Sequence, residues 1–235
     1  KLPRWLPKWR PWKMKISLII PTQNEAGAIG QVLKELPKRC VDEIIVVDGH
    51  STDQTTREAK TLLRPKIDQL ILQKSSGFGR AVLQGLGRAK GDVLIIMNGD
   101  GSHDPKDIPL LIKKITEGYD YVLASRYAPG GKSEDDTQVT FLGNKIFTWL
   151  TNFVHGTCVF DSLYFFTAIT RKGFKKLQLT SPGFELCIET LIKAHRAGLI
   201  FGEVPVIERP RLAGKTKVNA LRDGFKILKM ILKKY

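Results

Sequence analysis

A chain of 235 residues with 42% hydrophobic residues can bury one large core, and a single α/β domain is expected. Cys40, Cys158 and Cys187 are odd in number and lack paired or metal-type spacing, which argues against a disulfide framework and for a reducing setting. The formal net charge of +15 is concentrated at the ends: residues 1–15 and 203–235 supply twelve of the fifteen, so the middle is nearly balanced while the ends suit anionic lipid headgroups or nucleic acid.

Residues 1–14 interleave Trp5, Trp9 and Trp12 with Lys1, Arg4, Lys8, Arg10 and Lys13, and space Pro3, Pro7 and Pro11 evenly. The pattern equally suits a lipid–water interface and a solvated lead-in. Residues 15–20 (KISLII) read as a first strand ending at Pro21, Thr22, Gln23, Asn24 and Glu25, and Ile29, Val32, Leu33 and Leu36 follow at helical spacing. Asn24 and Glu25 therefore belong to the loop at the strand's carboxyl end. A second strand over 43–47 delivers Asp48, placed to accept a hydrogen bond from a base or ribose, while Ser51 or Asp53 can cap the next helix. A third strand over 67–72 leads to Lys74 and the turn Gly77-Phe78-Gly79, which brings Lys74 or Arg80 toward a ligand.

The stretch 92–105 (DVLIIMNGDGSHDP) organises the rest. Val93 to Met97 have the β-branched content of a strand buried on both faces, and the run stops at Asn98, Gly99, Asp100, Gly101, Ser102 and His103. Oxygen and nitrogen donors just beyond a strand, beside a nucleotide's phosphates, suit Mg²⁺ or Mn²⁺. Asp104 and Pro105 start a helix over 105–117, and that cap leaves Asp100 unexplained. A strand over 119–124 then ends at Ser125 and Arg126. Strands alternating with helices predict an α/β fold, a mostly parallel central sheet with helices on both faces. Right-handed crossovers align Asn24, Asp48, Lys74, Asp100 and Arg126 along one rim, a nucleotide-phosphate and metal site.

Residues 129–138 read as a mobile loop over that rim, and the aromatic-rich segment 141–154 as a helix. That helix and the run 159–169 suit core packing, a bilayer interface or a lipid groove. Asp161 is costly to bury alone and is a candidate active-site or structural carboxylate. Glu185, opening a helix over 186–197, is either a helix-terminus charge or a second carboxylate near the acceptor. A strand over 200–207 leads to Arg209, Arg211, Lys215 and Lys217, cations that a diphosphate leaving group requires. Residues 219–235 form a basic helix with apolar Leu221, Phe225, Ile227, Leu228, Ile231 and Leu232, suited to a membrane surface. No run of about 18 apolar residues is present, so these residues do not themselves span a membrane. The expected organisation is a lead-in over 1–14, a catalytic domain over 15–217 with acceptor-side helices within 129–170, and a C-terminal helix over 218–235.

IIPTQNE (19–25), VVDGHSTDQT (46–55), GFGRA (77–81), NGDGSHDP (98–105), ASRY (124–127), Asp161, GFELCIE (183–189) and VPVIERPRLAGKTKV (204–218) together resemble a family. Their order is similar to that of GT-A-fold inverting glycosyltransferases, most of all the dolichyl- or polyprenyl-phosphate mannose or glucose synthases. The resemblance implies metal-dependent transfer of a hexose from GDP-mannose, or alternatively UDP-glucose, to dolichyl or polyprenyl phosphate at an anionic membrane surface. It implies Pro21, Thr22, Asn24, Glu25 and Asp48 at the nucleoside, with Lys74, Gly79, Asn98 and Gly99 also on the nucleotide sugar. It further implies Asp100 and Ser102 at Mg²⁺ or Mn²⁺, Arg126 at the acceptor, Asp161 and Glu185 as positioning carboxylates, and Arg209, Lys215 and Lys217 at the diphosphate. The usual D-x-D reads Asn98-Gly99-Asp100, the usual second metal ligand Gln reads Ser102, and the usual D-D-G-S reads Asp48-Gly49-His50-Ser51. The implied location is the cytoplasmic face of a membrane, peripheral or anchored by a segment beyond this chain. A sugar nucleotidyltransferase lacks support because PTQNEAG is not a Gly-rich basic loop, and a nucleic-acid partner leaves the strand-end carboxylates without a role.

Overall fold

The structure, a computed structural model, describes residues 14–214 and 220–233. Trp5, Trp9 and Trp12 of the lead-in, and the cations Lys215 and Lys217, lie outside the described residues. In chain order the elements are β1 (Ile16–Thr22), α1 (Ala28–Glu35), β2 (Glu43–Asp48), α2 (Thr55–Leu62), β3 (Gln69–Leu72), α3 (Phe78–Arg88) and β4 (Val93–Ile96). A 3-10 turn (Pro105–Asp107), capped by the Asp104 side chain, leads into α4 (Ile108–Thr116), followed by β5 (Tyr121–Ser125) and β6 (Lys132–Ser133). The chain continues with α5 (Gln138–His155), β7 (Thr167–Thr170), α6 (Arg171–Phe174), α7 (Leu186–Arg196), β8 (Phe201–Pro205), β9 (Ile207–Glu208) and α8 (Ala220–Ile231).

The apolar runs become strands because both faces of the sheet are covered. Ile16, Leu18 and Ile20 of β1 join one core cluster with α1 and α4, whereas Ile19 joins the other with α3 and α7. β4 divides likewise, Val93, Ile95 and Met97 to one face and Leu94 and Ile96 to the other. Each such side chain, removed fully from water, contributes about 1.5–3 kcal/mol.

The main sheet runs β3-β2-β1-β4-β7-β5-β8, parallel except for β7, which is antiparallel to both β4 and β5. Crossovers leave β1 and β4 in opposite directions, so a crevice opens beyond their carboxyl ends, where such sheets bind ligands. Three boundaries depart from the sequence reading. β1 extends through Thr22, so Pro21 and Thr22 are strand residues. Only the end of the 159–169 run is regular, and it enters the sheet as β7 instead of forming an acceptor-side helix. Residues 129–138 are tied down in part, since β6 pairs in parallel with β9.

α5 is apolar on its outer face as well as its inner one, where Phe147 and Leu150 pack against the core. Thr148 and Thr151 are its buried residues, while Val139, Leu142, Ile146, Trp149 and Phe153, spaced 3, 4, 3 and 4 apart, stand exposed along one stripe. Trp149 is 63% and Phe153 75% exposed, and their rings stack 5.5 Å apart. α8 packs beside α5: the His155 ring nitrogen Nε2 bonds the Ile231 carbonyl oxygen at 2.7 Å, and Phe225 and Leu232 face out. Among the described residues no helix is long and apolar enough to cross a membrane.

Candidate active site

The floor of the crevice is the turn after β4. His103 is buried, and its Nδ1 accepts the Asn98 backbone N–H at 3.1 Å. Its ring stacks on Phe166 and meets Tyr164 edge-on. Burial is the main cause that pushes this imidazole down to about 3, so it is neutral and latches the turn instead of offering a ligand nitrogen. The Ser102 backbone N–H and hydroxyl both donate to Asp100 Oδ1, at 3.0 and 2.7 Å, which aims the second oxygen, Oδ2, outward. Asn98 Oδ1 is buried without a hydrogen-bond partner. Asn98 and Asp100 both line the crevice, offering one neutral and one charged oxygen there, and Oδ2 already has a cation, the Arg211 guanidinium, at 3.4 Å. Among the described residues no group of three His, Cys, Asp or Glu side chains forms a metal cage. This donor set fits Mg²⁺ or Mn²⁺ that substrate phosphates help to hold, with the Ser102 hydroxyl orienting the carboxylate.

A cleft of about 600 Å³ lies over this floor. One wall is Pro21 and Thr22 from β1 and Glu25 from the loop after it, with Gly49 and His50 after β2 and Gln73 after β3. His50 has a left-handed backbone, φ 62°, and its Nε2 donates to the Gln73 carbonyl oxygen at 2.8 Å. The opposite wall is Phe78, Arg80, Pro182, Gly183 and Phe184, the two phenylalanine rings stacked at 4.4 Å. Arg211 and, from α8, Arg222, Asp223 and Lys226 complete the lining.

Several predicted residues support the cleft from behind. Asp48 is fully buried and accepts the Ser51 backbone N–H and hydroxyl at 3.0 and 2.5 Å. Asn24 ties the first two loops together, its Oδ1 accepting the Thr52 N–H at 2.8 Å. Gly99 lies against Glu25: a Cβ there would meet Glu25 Oε2 at 2.8 Å, and that carboxylate accepts the Thr22 hydroxyl at 2.7 Å. Lys74 is exposed, its backbone N–H held by Gln84. Gly79 is required by a close approach of backbone, since a Cβ there would sit 2.3 Å from the Ser181 carbonyl oxygen. Glu185 stands at the start of α7, accepts the Gly183 N–H at 3.1 Å through Oε1, and has Oε2 buried without a partner.

Two predicted arginines are held outside the cleft. Arg209 is paired with Glu35 at 2.8 Å and with Asp104. Arg126 is buried, donates to Asp161 from Nε at 2.7 Å and from Nη2 at 3.1 Å, and lies 3.3 Å from Glu208. Of the loop cations expected at a diphosphate, Arg211 does line the cleft, and the cleft cations that the sequence reading left unassigned are Arg222 and Lys226. For α8 a signal was present: Asp223, Ile227 and Ile231 recur at intervals of four and are all buried, so a carboxylate shares the inward face.

The wall at Pro182 to Phe184 depends on a carboxylate in α7. Glu189 is buried and accepts the Thr180 and Ser181 backbone N–H groups, at 3.0 and 2.7 Å, and Lys193 Nζ at 2.6 Å. Burial raises its pKa, yet Lys193 and the two N–H groups prevail and bring it from 4.5 to about 2. The folded value lies below the unfolded one, so the stabilisation is full above pH 4.5 and is lost as pH falls through about 2, amounting to about 3 kcal/mol. Glu189→Gln is expected to lose most of it at pH 7 and to flatten the acid limb of stability. Urea unfolding from pH 2 to pH 7 checks this, and an unchanged acid limb refutes it.

The family model described as Glycosyl transferase family 2 matches residues 17–194. The chain is 30% identical over 214 residues to Glycosyltransferase AglJ of Haloferax volcanii, covering 89% of this chain and 68% of that protein. It is 31% identical over 228 residues to a dolichol-phosphate mannosyltransferase of Pyrococcus furiosus, covering 92% of this chain and 64% of that protein, so it spans about two thirds of these relatives. Among solved structures, glucosyl-3-phosphoglycerate synthase from Mycobacterium tuberculosis, in complex with Mn²⁺, UDP and glucosyl-3-phosphoglycerate, superimposes with TM-score 0.73 at 23% identity, over 94% of this chain and 79% of that one. This last likeness is one of fold.

Proposed function

The chain belongs to glycosyl transferase family 2 and is a glycosyltransferase of GT-A fold, and from that premise we propose that it transfers a hexose from a nucleotide sugar to dolichyl or polyprenyl monophosphate with inversion at the anomeric carbon. GDP-mannose is the first donor proposed, in keeping with relatives named dolichol-phosphate mannosyltransferase and polyprenol monophosphomannose synthase, and UDP-glucose the second. The observation that carries the reading is the cation-lined cleft together with the outward apolar stripe of α5, a helix that packs on α8, one of the elements lining that cleft. A polar donor site next to an apolar surface is what a sugar nucleotide and a lipid phosphate require together.

Pro21, Thr22, Gly49, His50 and Gln73 enclose the nucleoside end of the cleft. Asp100 Oδ2 and Asn98 Oδ1 would hold Mg²⁺ or Mn²⁺, which when bound shields the negative charge of the leaving diphosphate. Arg80, Arg211, Arg222 and Lys226 add positive charge along the same wall. A bond forms between an acceptor phosphate oxygen and the anomeric carbon on one side of the sugar as the bond to the diphosphate oxygen breaks on the other. The bonding pair leaves with the diphosphate, hence inversion. A phosphate monoester, with a second pKa of about 6, is largely ionised at neutral pH, so no general base is needed. Glu185, with its unpartnered oxygen beside Gly183, orients the hexose or the acceptor.

The α5 stripe is proposed to seat the enzyme peripherally on the anionic cytoplasmic leaflet, with Trp149 and Phe153 at the lipid–water boundary. The double variant Trp149→Ser with Phe153→Ser is expected to raise the KM for a long-chain acceptor about tenfold while leaving transfer to a short, water-soluble prenyl phosphate unchanged. Vesicle co-sedimentation and acceptor titration read both outcomes, and unaltered vesicle binding refutes the docking face.

The test of the whole reading is incubation with GDP-mannose, UDP-glucose and UDP-GlcNAc in turn, with polyprenyl phosphate and Mn²⁺. A lipid-linked monosaccharide from one donor is the expected product. Transfer only to water or to soluble acceptors overturns it.

A further inference from the structure

The two arginines at the start of the 209–214 loop have opposite assignments. Arg209 is held on the outside by Glu35 and Asp104. Arg211 faces inward, with Nη1 3.4 Å from Asp100 Oδ2 and Nη2 3.6 Å from Asp135 Oδ2. The loop backbone is seated on the metal turn: the Leu212 N–H donates to the Asp100 carbonyl oxygen and the Arg209 N–H to the Ser102 carbonyl oxygen, both at 2.9 Å. Gly101 permits this contact, since its φ of 85° and the Leu212 side chain, 2.6 Å from where a Cβ would stand, leave room for glycine alone.

Asp100 Oδ1 is committed to the two Ser102 donors, so Oδ2 is the oxygen left for a cation, and the Arg211 guanidinium has it. A guanidinium and a divalent ion cannot both occupy one carboxylate oxygen without strong repulsion at contact distance. Resting on the reading of Asp100 as the metal ligand, we propose that Arg211 is a tethered placeholder for the metal. It holds the loop over Asp100 in the empty enzyme and is displaced when a divalent ion arrives with a nucleoside diphosphate, whose phosphates become its new partner. Two consequences follow from linkage. The divalent ion alone competes with a cation already in place and binds weakly, and nucleotide and metal each strengthen the other's binding by the same factor.

The test is Mn²⁺ binding to the full chain, followed by electron paramagnetic resonance of free Mn²⁺ with and without GDP or UDP, for wild type, Arg211→Met, Arg209→Gln and Asp100→Asn. Arg211→Met is expected to bind Mn²⁺ alone about fivefold tighter than wild type, with the tightening by nucleotide reduced by a similar factor. Arg209→Gln removes an equal charge that does not touch Asp100 and is expected to leave Mn²⁺ binding without nucleotide unchanged. Unchanged or weaker Mn²⁺ binding in Arg211→Met overturns the proposal. Equal tightening in Arg209→Gln overturns it as well, because the effect is then general charge repulsion. Asp100→Asn separates the two levels: if it binds Mn²⁺ as well as wild type, the metal assignment itself fails, whereas if it loses binding while Arg211→Met matches wild type, the placeholder alone fails.

Discussion

Asp100→Asn is expected to lower turnover about a thousandfold at saturating donor and acceptor, a loss of about 4 kcal/mol of transition-state stabilisation, with folding stability changed by less than about 1 kcal/mol. The substitution is nearly isosteric, and its damage comes from charge and polarity. Ser102 presents two donors, its N–H and its hydroxyl, to Oδ1. The amide oxygen of Asn must turn toward them, which points the NH₂ group into the crevice where Oδ2 now faces a cation. A donor then meets Mg²⁺ or Mn²⁺ in place of an anionic ligand, and neighbouring Asn98 supplies only a neutral oxygen. Folding is spared because Arg211, more than a quarter exposed and also paired with Asp135, reverts to water at little cost. Steady-state transfer across a Mn²⁺ titration, alongside urea unfolding, measures both terms. Turnover within tenfold of wild type at saturating Mn²⁺ refutes the assignment of Asp100 to the metal.

What could be read from the sequence was whatever local pattern and short loops determine. The run from Val93 to Met97 announced a two-sided strand because its side chains alternate between the two core clusters, and the turn beyond it had to lie at the crevice. Pro21, Thr22, Glu25, Asn98 and Asp100 accordingly line the cleft. Contacts between distant segments were not legible. β7 inserts between β4 and β5 from 70 residues downstream, and no strand-by-strand reading in chain order anticipates a late antiparallel arrival. That insertion is also why Arg126, which follows β5 just as Asn98 follows β4, does not line the same cleft. Arg209 and Arg211 illustrate a finer limit. Residues two apart in an extended segment point the same way, yet here a proline intervenes and long-range backbone bonds to Asp100 and Ser102 set which arginine turns inward.

Asp161→Ala is expected to cost about 3–5 kcal/mol of folding stability, the range for removing one partner of a buried ion pair. The carboxylate is fully buried and accepts from Arg126 Nε and Nη2, from the Leu163 backbone N–H at 3.2 Å and from the Tyr164 N–H at 3.3 Å. Deleting it orphans all of these donors at once. Glu208 and Asp136, 3.3 and 3.8 Å from the guanidinium, cannot replace it geometrically, for they approach Nη1 alone. Burial moreover raises the pKa of Glu208. The network is a joint between layers: Asp161 meets Arg126 after β5, Glu208 joins from β9, and Tyr127 donates to Asp136, which also accepts from Asn144 of α5. Loss of Asp161 should therefore loosen α5 and with it the acceptor side, raising the acceptor KM more than it lowers turnover. The expected result is a variant unfolding at much lower urea whose folded fraction, assayed cold, turns over within about tenfold of wild type. A fully folded variant with turnover down about a thousandfold would instead put Asp161 in contact with the reacting atoms.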